Sequence, residues 1–342
     1  MIILHIPDEE YTPEKTETIR EKVKELIGLS NERYSFNQKG VEYIFLHKYA
    51  TPNTIKEDME VACLYQTVDR SRAIDAKQSE VELHRLKETI EKAIEDDRVV
   101  IYLQPIYSNR RKKFVSAEVL TRIINEDGSL LMPNIFIPAA EKTGVIKELE
   151  EVIIRKACEF IRDHDIRSMG LDYIEVNLSI KSGEKKDFAG KYKNIIASYH
   201  IDPSLINFEI TETATLSEKR LLLDNMNQLI EHGFNFSLDD FGSGESNLNY
   251  IIDMPITIIK FDKNLTDAYE CNTKAEIVMK ATVQMAHDLG IKTVSEGVET
   301  EEMFGNLSAI GIDYIQGYYF SKPLPAEDFI SFIRENNKED TQ

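Results

Sequence analysis

Two aspartates, Asp239 and Asp240, stand side by side in SLDDFGSGESN (237–247). Adjacent carboxylates repel each other, and burying them without a partner costs several kcal/mol. Other polar residues lie at or near the ends of apolar runs: Glu118 and Arg122 in AEVLTR, Asn177 in VNLS, and Glu209 and Glu212 in FEITET. Lys260 in IIKFD, Glu296 and Glu299 in SEGVE, and Gln316 in IQGYY continue the series. Any single carboxylate of this kind is more often solvated or helix-capping than catalytic. Together they form a set of oxygen donors, without His or Cys, that would repel itself unless cations sat among it. Carboxylates plus an amide carbonyl suit hard ions such as Mg²⁺ or Mn²⁺. Several carboxylates can hold two ions about 3.5–4 Å apart, the arrangement used for in-line displacement at phosphorus. In that chemistry Lys260 orients the attacking water or stabilises developing charge, and Arg122 binds a substrate phosphate oxygen.

For these groups to meet, the elements that carry them must end on one face. From residue 97 onward eight strand-like runs recur, each followed by a helix-length amphipathic stretch: VVIYLQPIY, KFVSAEVLTRI, YIEVNLSI, INFEITET, FNFSLDDF, ITIIKFD, KTVSEGV and YIQGYYF. That rhythm predicts an α/β fold, a (β/α)8 TIM-type barrel, in which C-terminal strand ends converge on one face. An open doubly wound sheet is the main alternative, but no Gly-rich phosphate fingerprint follows an early strand. Neighbours in a regular strand point to opposite faces. Asp239 and Asp240 therefore reach one site only if the chain turns there, and Gly242 and Gly244 supply freedom for that turn.

The chain has 342 residues, 42% of them hydrophobic, and a formal net charge of −19. So acidic a balance disfavours a nucleic-acid polymer as partner, because phosphate binding needs clustered Lys and Arg. No apolar run approaches the roughly 18 residues of a membrane span, and the N-terminus lacks signal-peptide regions. The expectation is a cytoplasmic chain without a membrane segment, or the soluble part of a larger, membrane-attached protein if residues precede Met1. Cys63, Cys158 and Cys271 lie far apart and read as buried structural thiols rather than a disulfide or zinc framework. His232, on the helix-to-strand side of the fifth strand, reads as structural. Residues 1–78 suggest a small α/β piece, with strands MIILHI and VEYIFLH around a polar helix PEKTETIREKVKELI. It begins inside a strand, as an excerpt would. Residues 79–96 carry Val81, Leu83, Leu86, Ile90 and Ile94 at helical spacing and predict a connecting helix whose apolar face serves core packing.

The ordered series AEVLTR, VNLS, FEITET, DDFGSG, IIKFD, SEGVET and IQGYYFSKPLP resembles the EAL-domain family of cyclic di-GMP phosphodiesterases across residues 97–337. YLQPIYSNRRKKFVSAEVLTR and IFIPAAEKTGVI are similar to its opening stretches. The resemblance implies an EAL-like barrel that hydrolyses one phosphodiester of cyclic di-GMP to linear pGpG with Mg²⁺ or Mn²⁺, two ions per site. It implies that Glu118, Asn177, Glu209 and Asp239 hold one metal, and that Asp239 bridges to a second held also by Asp240 and Glu296. Lys260 would contact the nucleophilic water. Gln104, Leu120 and Arg122 would line the substrate, with Gln316 a polar group near the metals. Glu212 and Glu299 resemble residues that steady the loop after Asp240. The family implies a homodimer, whose control runs through that loop. Departures are Val119 for Ala, Ser243 for Thr, Glu245 for Tyr, and Ser246-Asn247 for Ser-Ser. Glu245 motivates an alternative, a catalytically weak or inactive cyclic di-GMP-binding effector. Residues 1–78 resemble the back half of a degenerate GGDEF domain without its signature, which implies a structural or regulatory remnant rather than a cyclase.

Overall fold

The computed structural model describes strands at residues 2–5, 33–38 and 41–46, and residues 82–183, 187–210, 219–243 and 248–338. The chain divides into two compact units, Met1–Val81 and Glu82–Gln342. In the first, Val41–Leu46 is the middle strand of an antiparallel sheet and pairs with Ile2–His5 and Arg33–Gln38. The polar helix expected at residues 13–27 lies outside the described residues.

The second unit opens with a helix over residues 82–95. Its apolar stripe is used for packing: Ile90 and Ala93 are fully buried, and Leu83, Leu86 and Ile94 lie against the same core. Eight barrel strands follow, and the two-residue strands Leu130–Leu131 and Leu324–Pro325 add to the same sheet among the described residues. β1 (Val99–Ser108) turns straight back through residues 109–112, where Lys112 takes φ 54°, into β2 (Lys113–Ile124). The two therefore run antiparallel, with no helix between them.

From β2 onward the expected rhythm holds. β3 (Tyr173–Leu178), β4 (Ile206–Ile210), β5 (Asn235–Phe241), β6 (Ile258–Phe261), β7 (Lys292–Ser295) and β8 (Tyr314–Ile315) add in parallel. β8 closes on β1, again antiparallel. The fold is thus a (β/α)8-type barrel whose first strand is reversed. Four residues between β1 and β2 leave no room for a crossover helix, which takes a dozen or more.

Parallel strands covered by helices lose the in-and-out polar alternation, and all five residues of β4 are buried. The helix Ile146–Asp163 shows the complementary pattern, burying Leu149, Ile153, Ile154, Ala157, Phe160 and Ile161 along one side. Local signals set helix ends. Gly144, at φ 84°, ends Pro133–Thr143, and the Asn272 side chain accepts from Lys274 N and Ala275 N to start Thr273–Asp288. Ile106, Ile258 and Val294 form a small separate apolar cluster with Tyr173 and Tyr314 against it, filling the barrel where β6 begins. Of the cysteines, Cys158 is buried as expected. Cys271 is exposed, because it ends the helix Lys263–Cys271 on its solvent side, and Cys63 lies outside the described residues. Among the described residues no helix is long and apolar enough to cross a membrane.

Candidate active site

The two aspartates share one region because of a defect in the β5–β6 ladder. Ile258 pairs with Ser237 and Ile259 with Leu238, but Phe261 pairs with Phe241. Lys260 therefore faces both Asp239 and Asp240, the two-against-one arrangement of a β-bulge. The turn starts at Asp240 itself, which takes φ 57°, and continues at Gly242, φ 96°. A Cβ at Gly242 would lie 2.6 Å from Leu265 Cδ2, so both conformation and space call for glycine there. Gly244 lies outside the described residues.

Lys260, near the end of β6, is completely buried. Its Nζ makes an ion pair with Glu209 and lies 2.7 Å from Glu296 Oε1, 3.4 Å from Glu118 Oε2, 3.5 Å from Glu175 Oε2 and 4.0 Å from Asp239 Oδ1. Five carboxyl groups around one ammonium leave a negative surplus in a water-poor place. Burial pushes Glu209, Asp239 and Glu296 upward, with Lys260 pulling each the other way and Glu118 adding to the rise. Half-buried Asp240 is raised by burial and by Asp262. Burial opposes the charge on Lys260, but the ring of acids outweighs it and lifts the ammonium well above its usual range.

Glu118 is the hub. Asn177 Nδ2 donates to its Oε1 at 2.9 Å and Gln316 Nε2 to its Oε2 at 2.6 Å, and Gln316 Nε2 also reaches Gln104 Oε1 at 3.2 Å. Gln104 in turn donates to the Ser321 carbonyl. Beside Glu118 opens a cavity of about 390 Å³, lined by Leu120, Ile137, Pro138, Glu141 and Asn177 among others. Arg122 is buried, with its guanidinium over the Tyr102 ring at 5.4 Å and Nη1 donating to the Thr121 carbonyl.

Of the residues expected to act together, Glu118, Asn177, Glu209, Asp239, Lys260, Glu296 and Gln316 meet in one cluster. Asp240 sits beside it across the bulge, and Gln104 joins through Gln316. Glu299 stands apart: it is exposed and pairs with Lys263. Glu212 and Glu245 to Asn247 lie outside the described residues. His232 sits exposed in the turn after Lys219–Ile230, bonded to the Gln228 carbonyl. Glu175 was not anticipated. The available signal was its position two residues before Asn177 in YIEVNLS, which puts both on one face of β3.

The donor set fits a hard divalent cation. Glu209 Oε2 and Asp239 Oδ1 are buried with no hydrogen-bond partner among the described residues, and the cluster carries more negative than positive charge. No three Asp, Glu, His or Cys side chains among the described residues group as a preformed ion cage. Lys260 Nζ stands where the carboxyl groups meet.

The EAL domain family matches residues 87–323. The signaling protein YkoW of Bacillus subtilis is 35% identical over 246 residues, 72% of this chain and 31% of its own length. The probable cyclic di-GMP phosphodiesterase PdeB of Escherichia coli is 34% identical over 253 residues, 74% of this chain and 47% of its own. The chain thus spans less than half the length of these relatives. A solved structure of the PaMucR phosphodiesterase in complex with c-di-GMP superposes with a TM-score of 0.67 at 28% identity, covering 72% of this chain and 99% of that one.

Proposed function

The chain belongs to the EAL-domain family, and on that premise we propose that it hydrolyses cyclic di-GMP to linear pGpG. Water adds to one phosphorus, the P–O3′ bond breaks, and the departing 3′ oxygen takes up a proton. Two Mg²⁺ or Mn²⁺ ions would be held by Glu118, Asn177, Glu209 and Asp239 and by Asp239, Asp240 and Glu296. Bound there, such ions polarise the phosphoryl oxygen and lower the pKa of a coordinated water.

The protein's own groups divide the remaining work. Lys260, whose charged form the surrounding acids favour, offers positive charge and N–H donors to the attacking oxygen. Asn177 and Gln316 hold Glu118 in one orientation. Gln104, Leu120 and Arg122 line the substrate, and the cavity beside Glu118 receives part of it. Arg122 is pre-set for a phosphate by its contacts to Tyr102 and the Thr121 carbonyl. A homodimer in the cytoplasm belongs to this reading; Ile252, 75% exposed on the helix after the Asp239–Asp240 bulge, gives subunit contact an apolar place. Residues 1–78 belong to it as a GGDEF-like remnant without cyclase activity, ahead of a connecting helix (79–96) and the catalytic barrel (97–337).

The observation that carries the reading is the fully buried Lys260 among acids delivered by five different strands or their ends. The test is release of pGpG from cyclic di-GMP by purified protein with Mg²⁺ or Mn²⁺, resolved by chromatography. Turnover is expected, and Asp239→Asn and Lys260→Met should each lower it by about a hundredfold or more. Tight nucleotide binding without turnover would instead mark the binding effector.

A further inference from the structure

We propose that Glu175 is a positioning residue, the standing counter-ion that holds Lys260 in place while Glu118, Glu209, Asp239 and Glu296 are engaged by divalent cations. The inference deepens the hydrolase reading and rests on it.

Glu175 is completely buried near the middle of β3, in register with Glu118 on β2 and Asn207 on β4. Its Oε2 lies 3.5 Å from Lys260 Nζ and has no hydrogen-bond partner among the described residues. Its Oε1 accepts from Asn207 Nδ2 at 3.4 Å, and the same amide also donates to the Ser237 hydroxyl. The carboxylate is thus tethered from the barrel interior, with its free oxygen toward the ammonium.

Charge decides why such a group matters. Among the described residues Lys260 has five acidic neighbours, and four of them belong to the proposed ion-binding set. When dications take those four, their negative charge is shared, and the ions themselves repel the ammonium. A buried ammonium without an anion is strongly disfavoured. Among the described residues, Glu175 is the one acidic neighbour within 4.0 Å that has no proposed duty toward the ions. Without it, Lys260 keeps a counter-charge only by competing for Glu209 and Glu296, the acids that the ions also need.

The test reads Mn²⁺ binding to the full chain without substrate, by loss of the free-ion electron paramagnetic resonance signal, alongside kcat and KM for cyclic di-GMP. Glu175→Gln should weaken Mn²⁺ binding about fivefold or more and lower kcat about tenfold with KM little changed. Lys260→Met should bind Mn²⁺ more tightly, and adding Glu175→Gln to it should then change the affinity less than about twofold. Glu175→Asp, which keeps the charge, should retain most of the affinity and turnover. Should either Gln or Met variant fail to fold, Glu175→Asp against the unaltered chain decides: retention supports the inference and loss of both properties overturns it. Equal weakening by Glu175→Gln in both backgrounds would also overturn it, since the charge would then act on the ions without Lys260. Failure of the unaltered chain to bind Mn²⁺ would remove the hydrolase reading itself. Normal binding and turnover with an inert Glu175→Gln would remove this inference alone.

Discussion

Gln316 Nε2 donates to Glu118 Oε2 at 2.6 Å, so a residue just past the last barrel strand fixes the carboxylate of the second. The same amide bridges to Gln104 on β1, which makes it the clasp between the two ends of the closed sheet. Gln316→Ala takes the amide donor from Gln104 Oε1 and leaves Glu118 Oε2 with Lys260 Nζ alone, a loss of about 1–3 kcal/mol. A lower thermal midpoint and a reduced kcat are expected together; unfolding followed by circular dichroism and a turnover assay check the pair.

Glu150, almost fully buried, accepts from Ser179 N at 2.6 Å and from the Tyr192 hydroxyl, yet burial pushes its carboxyl up to about 7. The sign follows from linkage. Below about pH 4.5 the carboxyl is protonated in both folded and unfolded chains and contributes nothing. Between pH 4.5 and 7 the unfolded chain ionises first, so stability falls as pH rises, and above pH 7 the full penalty remains. The shift corresponds to about 3 kcal/mol. Glu150→Gln should flatten the pH dependence of the melting temperature across that window and leave the variant more stable than the parent above it. Urea denaturation at pH 4.5 and 8 provides the comparison.

Divalent cations should stabilise the folded chain measurably even without nucleotide. The acids around Lys260 carry surplus negative charge, and an ion that binds only the folded state adds about 2.7 kcal/mol at a hundredfold excess over its Kd. Burial raises Glu209, Asp239 and Glu296, so protons compete with the ion at low pH. The Mn²⁺-induced rise in melting temperature should therefore be larger at pH 8 than at pH 5. A chelator should reverse it.

Gly242→Ala meets two obstacles at once. The backbone sits at φ 96°, and the new methyl would lie 2.6 Å from Leu265 Cδ2. A positive φ alone costs a side chain about 1–2 kcal/mol. Loss of stability of about 2 kcal/mol or more is expected, with turnover reduced because the strand end that presents Asp240 must shift. Denaturation and kinetics on the same preparation measure both.

Much of this arrangement was readable in the sequence because each barrel strand interrupts an apolar run with a polar residue at its end. Glu118, Glu209 and Lys260 stand out in that way, and the alternation of strands and helices fixes the face on which they meet. The reversal of β1 was legible only in spacing: residues 109–112 are too few for a helix. The turn at the two aspartates was legible in Gly242, but its start one residue into the pair was not, since nothing in Asp-Asp marks the second as left-handed. Glu175 was concealed for the opposite reason. A charged residue inside a strand resembles a solvent-facing position, and only the closed barrel turns it toward Lys260. Glu299 shares the SEGVE run with Glu296, but four residues past the strand the chain has already turned outward to Lys263.

The clasp between Gln316 and Glu118 joins residues 198 positions apart, across the seam where β8 meets β1. A chain emerging from the ribosome would display Glu118, Asn177, Glu209, Asp239 and Lys260 well before Gln316 appeared. Pairing of β1 with β2 is local and needs no distant partner, so the seam's first wall stands early and waits for its second. Until the final strand docks, the acids would be gathered but unclasped, and the cluster becomes a fixed instrument only once β8 has been made.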